Sequence, residues 1–238
     1  MKKNLIIVLA FFISLTCLSN QMVYAKKLSQ NKEYFELETN EFGVSSLFFN
    51  FINNCFMNLD GVQVIDINGL DVTKNFINET SHYYSSKDYE AIQNLIISKK
   101  LLVSYEKIIP EKNYNSDSQI MSIKTQTVKK TFYHNEWDLK HKFKKEWTST
   151  LTGKYSYNFN TRRIVSASSP TISFNTNFGA AFVPSINNIR TNYSLSNSGM
   201  RLTFTGSYNM NATLGIPIGD LEIGYPIHFG NFRDIFDV

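Results

Sequence analysis

The chain has 238 residues, 24 basic against 20 acidic, and a formal net charge of +4. That balance is too even for a dedicated nucleic-acid binder. Of the two cysteines, Cys17 falls in an apolar leader, so Cys55 alone remains and the rest of the chain has no internal disulfide.

Residues 1–25 read as a secretory signal peptide. Lys2 and Lys3 are followed by the apolar run LIIVLAFFISLTCL (5–18), and Val23-Tyr24-Ala25 places small residues where a signal peptidase reads them. Cleavage is predicted after Ala25, releasing an extracellular chain that starts at Lys26. The run is shorter than the roughly 20 apolar residues of a membrane anchor. Ser14, Leu15 and Thr16 suit a lipid attachment at Cys17 poorly. What remains is long enough to bury about 70% of its unfolded surface without disulfides.

Residues 26–115 have the pattern of a helical α+β region. Val44, Leu47, Phe48, Phe51, Ile52, Cys55, Phe56 and Leu59 recur at helical spacing and form a broad apolar stripe. Lysines are missing from its polar side, which favours core packing over a membrane-seeking helix. VQVIDING (62–69) alternates and ends in Asn-Gly, a strand and turn. Asp71 or Thr73 is placed to cap NFINETSHYY, and Ser85 with Asp88 resembles a capping box before YEAIQNLIISKKLL.

From 116 to 238 the period becomes two. In MRLTFTGSYNMNATL (200–214), Leu202, Phe204, Tyr208 and Met210 share one parity, and Thr203, Thr205, Ser207 and Asn209 the other. Such alternation predicts an antiparallel, β-sandwich-like domain with one face in the core. The fold class is therefore α+β, a short helical N-terminal region followed by that domain. Pro170 and Pro226 belong on edges or bulges. Between Tyr133 and Phe159 the apolar residues are nearly all odd, a length that would reach roughly 90 Å as one strand. A hairpin with arms near 131–140 and 147–158, joined by an odd-numbered loop within HKFKKE (141–146), keeps that parity and is the predicted arrangement. It puts Trp147, Leu151 and Tyr155 in the core, with Leu202, Phe204, Met210 and Ile223.

The motif W-x-x-x-L-x-G-x-Y-x-Y-N (147–158), followed by SASSPTISF (166–174), resembles modules of uncharacterised secreted proteins of low-GC Gram-positive bacteria. The resemblance covers about 30 residues. It implies a bacterial, secreted, β-rich protein and brings no activity or functional residues.

Chemistry-bearing motifs are scarce. HNEWDLKH (134–141) offers His134, Asp138 and His141 as metal ligands if helical. The segment alternates, however, and on a strand His134 and Asp138 lie about 13 Å apart with His141 on the opposite side. No G-x-S-x-G, H-E-x-x-H or phosphate-binding glycine loop is present, and no cofactor is implied. Residues 124–146 hold seven lysines, and the C-terminal end carries Asp220, Glu222, Asp234 and Asp237. These read as a solvated basic strand and a solvated acidic tail, with anionic polymer or lipid headgroups as the alternative partner for the lysines. Thr148, Thr150 and Thr152, with Lys142 and Lys144, are the candidate surface-binding residues. Threonine suits a hydrated pleat without any ligand, so that face is expected to meet water and at most a weak polar ligand.

Three functions fit: a non-catalytic extracellular or cell-surface protein that binds cell-wall polymer or glycan, a β-rich pore-forming toxin, and a secreted hydrolase. The toxin reading requires an apolar hairpin face that can meet lipid, and His141 and Lys145 count against it.

Overall fold

A computed structural model describes residues 40–110, 122–138, 143–218 and 221–238. The predicted signal segment lies outside them. Glu38–Val238 form one compact unit.

Helix α1 (Ser46–Met57) is the predicted apolar stripe. Ser45 Oγ accepts the Phe48 amide at 3.0 Å, and Phe48, Phe51, Ile52 and Cys55 are buried. Burial pushes the Cys55 thiol well up, so it stays protonated and inert. Strand β1 (Val62–Ile65) ends in a turn where Asp66 Oδ1 accepts the amides of Asn68 and Leu70. Asp71 Oδ1 then holds the Thr73 amide at 2.9 Å, just before α2 (Thr73–Ser85). Asp88, rather than Ser85, caps α3 (Tyr89–Ser98) by accepting the Ala91 amide at 3.0 Å. Ser85 instead closes α2.

The remaining strands are β2 (Leu102–Pro110), β3 (Ile123–Asp138), β4 (Phe143–Asn158), β5 (Arg163–Asn177), β6 (Phe182–Leu195), β7 (Leu202–Ile218) and β8 (Leu221–Asp237). They form a five-stranded sheet, β1-β2-β3-β4-β5, and a three-stranded sheet, β6-β7-β8, antiparallel throughout. Because β2 pairs with β3, one sheet takes strands from both sides of the position where the sequence changes period.

The sheets share a core in which Val128, Phe132, Leu151 and Tyr155 meet Leu202, Phe204 and Phe236. The alternation of β7 is as predicted: Leu202, Phe204, Tyr208, Met210, Ala212 and Leu214 are buried, and the intervening polar residues are half-buried. Gly153 lets the sheets approach, since a Cβ there would lie 2.4 Å from the Phe204 ring. Pro170 and Pro226 lie on the edge strands β5 and β8, and Pro170 falls at a bulge beside Gly153. The helices cover the other face of the five-stranded sheet, where Phe48 and Phe51 pack on Tyr133 at 5.1 and 5.3 Å between ring centroids.

The predicted hairpin exists with a different turn. Asp138 pairs with Phe143, so four residues separate the arms rather than an odd number. An even loop reverses parity across the turn. Odd residues of β3, such as Tyr133, therefore face the helices, while odd residues of β4, such as Trp147 and Leu151, face the second sheet.

Candidate functional site

Register and alternation together place one set of side chains on the helix-facing side of the five-stranded sheet. Across β3, β4 and β5 the rows run Tyr133-Thr148-Asn175, then Thr131-Thr150-Ser173, Lys129-Thr152-Thr171, Thr127-Lys154-Ser168 and Thr125-Ser156-Ser166. The helices cover one corner of this set, at Tyr133 and its neighbours Thr148 and Thr131. Thr148, beside Tyr133, is accordingly buried, as is Thr131. Thr148 was expected to meet water, and the roof explains why it does not. Beyond the roof Thr150 and Thr152 are half-buried, and Lys129, Lys154, Ser168, Thr171 and Ser173 are exposed. Thr131 and Thr150 bond hydroxyl to hydroxyl at 2.9 Å, and Thr125 and Ser156 at 3.1 Å. The last four rows hold only serine, threonine and lysine, with no carboxylate.

Register with β2 extends this face. Lys107 lies directly opposite Lys129, and both are exposed. Of the other candidate lysines, Lys144 is half-buried with Nζ 5.8 Å from the Trp137 ring centroid, and burial pulls its pKa down. Lys142 and His141 lie outside the described residues, and so does the side chain of Asp138.

The opposite face of the sheet carries a buried polar cluster that sequence spacing did not show. Ser149 Oγ donates to Asp234 Oδ2 at 2.5 Å, and His134 Nε2 lies 3.3 Å from both Ser149 Oγ and Asp234 Oδ1. Trp147 Nε1 donates to Tyr208 Oη at 3.0 Å, and that oxygen sits 3.1 Å from His134 Nε2. Burial pushes the Tyr208 phenol up beyond its ordinary range, with Asp234 adding to the effect. Serine, histidine and aspartate meet here, yet not as a charge-relay triad. The carboxylate engages the serine directly, and serine and aspartate both approach the same ring nitrogen, whereas a triad uses both nitrogens. Ser149 and Asp234 are fully buried, beyond a substrate's reach. The cluster ties β3 and β4 to β7 and β8. It corrects two expectations: His134 is not a solvated side chain, and Asp234 is not part of a solvated acidic tail. Among the described residues no group of three or more His, Cys, Asp or Glu is placed to hold a metal ion.

Lys130 and Lys145 are also buried, so the basic strand is not uniformly solvated. Lys145 Nζ donates to the Phe178 carbonyl at 2.7 Å and lies 3.7 Å from the Phe182 ring centroid. Burial lowers its pKa to about 8. Lys130 lines an open cleft of about 560 Å³ at the β1-β2 edge, with Asn58, Gln63, Asp71, Glu106 and Lys107. Its Nζ bonds Gln63 Oε1. Burial lowers the Lys130 pKa, against the pull of Glu106, Asp71 and Asp237, and burial raises that of Glu106. Among the described residues the lining holds no serine, threonine or cysteine that could serve as a nucleophile.

Of the three threonines singled out from the sequence, Thr150 and Thr152 lie on the open face and Thr148 does not, and Lys107, Lys129 and Lys154 were not among the candidate binding residues. The alternations Lys129-Thr131 and Thr152-Lys154 were visible in the sequence, whereas Lys107 joins only through strand register. No family model, curated protein or solved structure shows significant similarity to the chain.

Proposed function

We propose that the chain is a secreted, non-catalytic protein that binds a polar polymer or glycan of a cell surface through the open hydroxyl face of its five-stranded sheet. The leader over residues 1–25 supports export. The observation that carries the binding role is the set of rows from Thr150-Ser173 to Thr125-Ser156-Ser166, an array of hydroxyls and ammonium groups outside the helical roof. Side chains about 5 Å apart across strands and about 7 Å apart along them suit an extended chain of repeating polar groups. In this reading the fold is α+β, with a helical cap on a sandwich-like pair of sheets, and the cap fixes which half of the face stays open.

Sedimentation of the purified protein with isolated cell walls tests the proposal. The variant Thr152→Val, Thr171→Val, Ser168→Ala keeps side-chain volume close to native and removes three hydroxyls. It is expected to lose wall binding at an unchanged denaturation midpoint. Loss of binding with Glu106→Gln in the cleft, and none with the hydroxyl variant, would move the site to the cleft. Dye release from liposomes by the native chain would instead favour the membrane-active reading. That reading requires Trp147 and Leu151 to leave the inter-sheet core. Mass spectrometry of the culture medium should find a chain beginning at Lys26, and one beginning at a lipidated Cys17 would contradict the export route.

A further inference from the structure

The open face contains an arrangement that folding alone disfavours. Lys107 and Lys129 stand directly opposite each other on adjacent strands, where like charges are destabilising. Both are exposed, and neither forms an ion pair among the described residues. Lys154 lies one row along on β4, diagonal to Lys129. Three ammonium groups thus cross β2, β3 and β4 in a line, at side-chain spacings of about 5 and about 7 Å. Within the rows of β3, β4 and β5 their neighbours are the hydroxyls of Thr152, Thr171 and Ser168, with no carboxylate among the described residues of those rows.

Resting on the binding role given above, we propose that this line of lysines binds the phosphodiester backbone of a linear surface polymer. Charge complementarity requires an anion. Lysine is a compact point charge that binds a tetrahedral phosphate from any direction, whereas the arginine fork grips carboxylate and phosphate bidentately. No arginine stands in these rows. The hydroxyls supply neutral donors for the remaining non-bridging oxygens. A bilayer fits less well. An interfacial site presents a cluster of aromatic or aliphatic side chains to the acyl region beside its basic ones, and here the exposed apolar residues are Ile109 on β2 and, at the far end of β3, Ile123.

The test measures binding of the full chain to immobilised poly(glycerol phosphate), to polygalacturonate and to an uncharged glucan, at about 50 and about 300 mM salt. Lys107→Gln with Lys129→Gln is compared with Lys74→Gln and Lys87→Gln, which remove the same charge from exposed helical and turn positions. Binding to the phosphate polymer is expected to fall about tenfold or more in the first pair, and at high salt, but not in the second pair. The double Lys→Arg variant should retain phosphate binding and gain affinity for polygalacturonate. Equal losses in both Gln pairs would overturn the assignment to this face. Equal binding of polygalacturonate by the native chain would overturn the phosphate chemistry. Binding to phosphatidylglycerol vesicles without binding to the polymer would replace the polymer by a membrane. If the native chain bound the uncharged glucan and the Gln variants bound it equally, the phosphate proposal would fall while the surface-binding role stood. If no wall material bound at all, both would fall.

Discussion

The two faces of β4 treat polar groups in opposite ways. On the side that meets the second sheet, Trp147, Ser149 and Leu151 are sealed, and the indole and hydroxyl there each have a named partner, Tyr208 and Asp234. On the other side, past the helical roof, Thr150 and Thr152 are half-buried and Lys154 is exposed. A buried polar group left without a partner costs about 1–3 kcal/mol, so the inner face has to pair its polar atoms internally. The outer face is under no such constraint, because water can satisfy its polar groups. The lysine pair at Lys107 and Lys129 gives up some stability, which is the pattern expected where binding rather than packing decides the residue.

The comparison is broken most severely from the inner side. Phe204→Ala, which empties the space over Gly153, is expected to destabilise by about 3–5 kcal/mol in chemical denaturation. A loss below about 1 kcal/mol would mean the sheets do not pack through this residue. Asp234→Ala leaves Ser149 and His134 without their carboxylate and should cost about 3 kcal/mol. A near-neutral result would show that the cluster is not the tie between the sheets.

A smaller, pH-dependent effect comes from Lys145. Burial lowers its folded pKa from the ordinary 10.5 to about 8. Between those values the unfolded chain binds the extra proton, so stability rises with pH across that window. Denaturation at pH 7.5 and at pH 9.5 should show the native chain gaining on Lys145→Met. A constant difference would mean that the ammonium is not desolvated.

On the outer side the expected sign reverses. Lys129→Gln relieves the repulsion with Lys107 and should raise stability by about 0.5 kcal/mol at low salt, an increment that disappears at high salt. Destabilisation would indicate that Lys129 has a structural partner.

The sequence revealed these regions unequally. The apolar stripe of α1 and the alternation of β7 were legible because each is a local period enforced by burial on one side. Pro170 and Pro226 marked edge strands because proline cannot donate to a ladder. The parity switch between β3 and β4 was not legible. It depends on whether three, four or five residues form the turn after Asp138, and nothing in that stretch encodes the count. The pairing of His134 with Asp234 was hidden for a related reason. It joins residues of two sheets, and alternation says which side a residue faces but not what it meets there. For the open face, Thr150 and Thr152 were identified as exposed hydroxyls, yet the helical roof that buries Thr148 comes from residues far away in the chain.

The central claim is that the uncovered half of the five-stranded sheet is the surface that meets a partner. Hydrogen–deuterium exchange of the native chain, with and without solubilised cell-wall fragments, tests it most directly. Added protection is expected in peptides spanning Lys129–Thr131, Thr150–Lys154 and Ser168–Ser173, with none around Phe204–Met210. Protection confined to Asn58–Gln63 and Glu106 at the cleft, or exposure of Trp147 and Leu151 from the inter-sheet core, would contradict it.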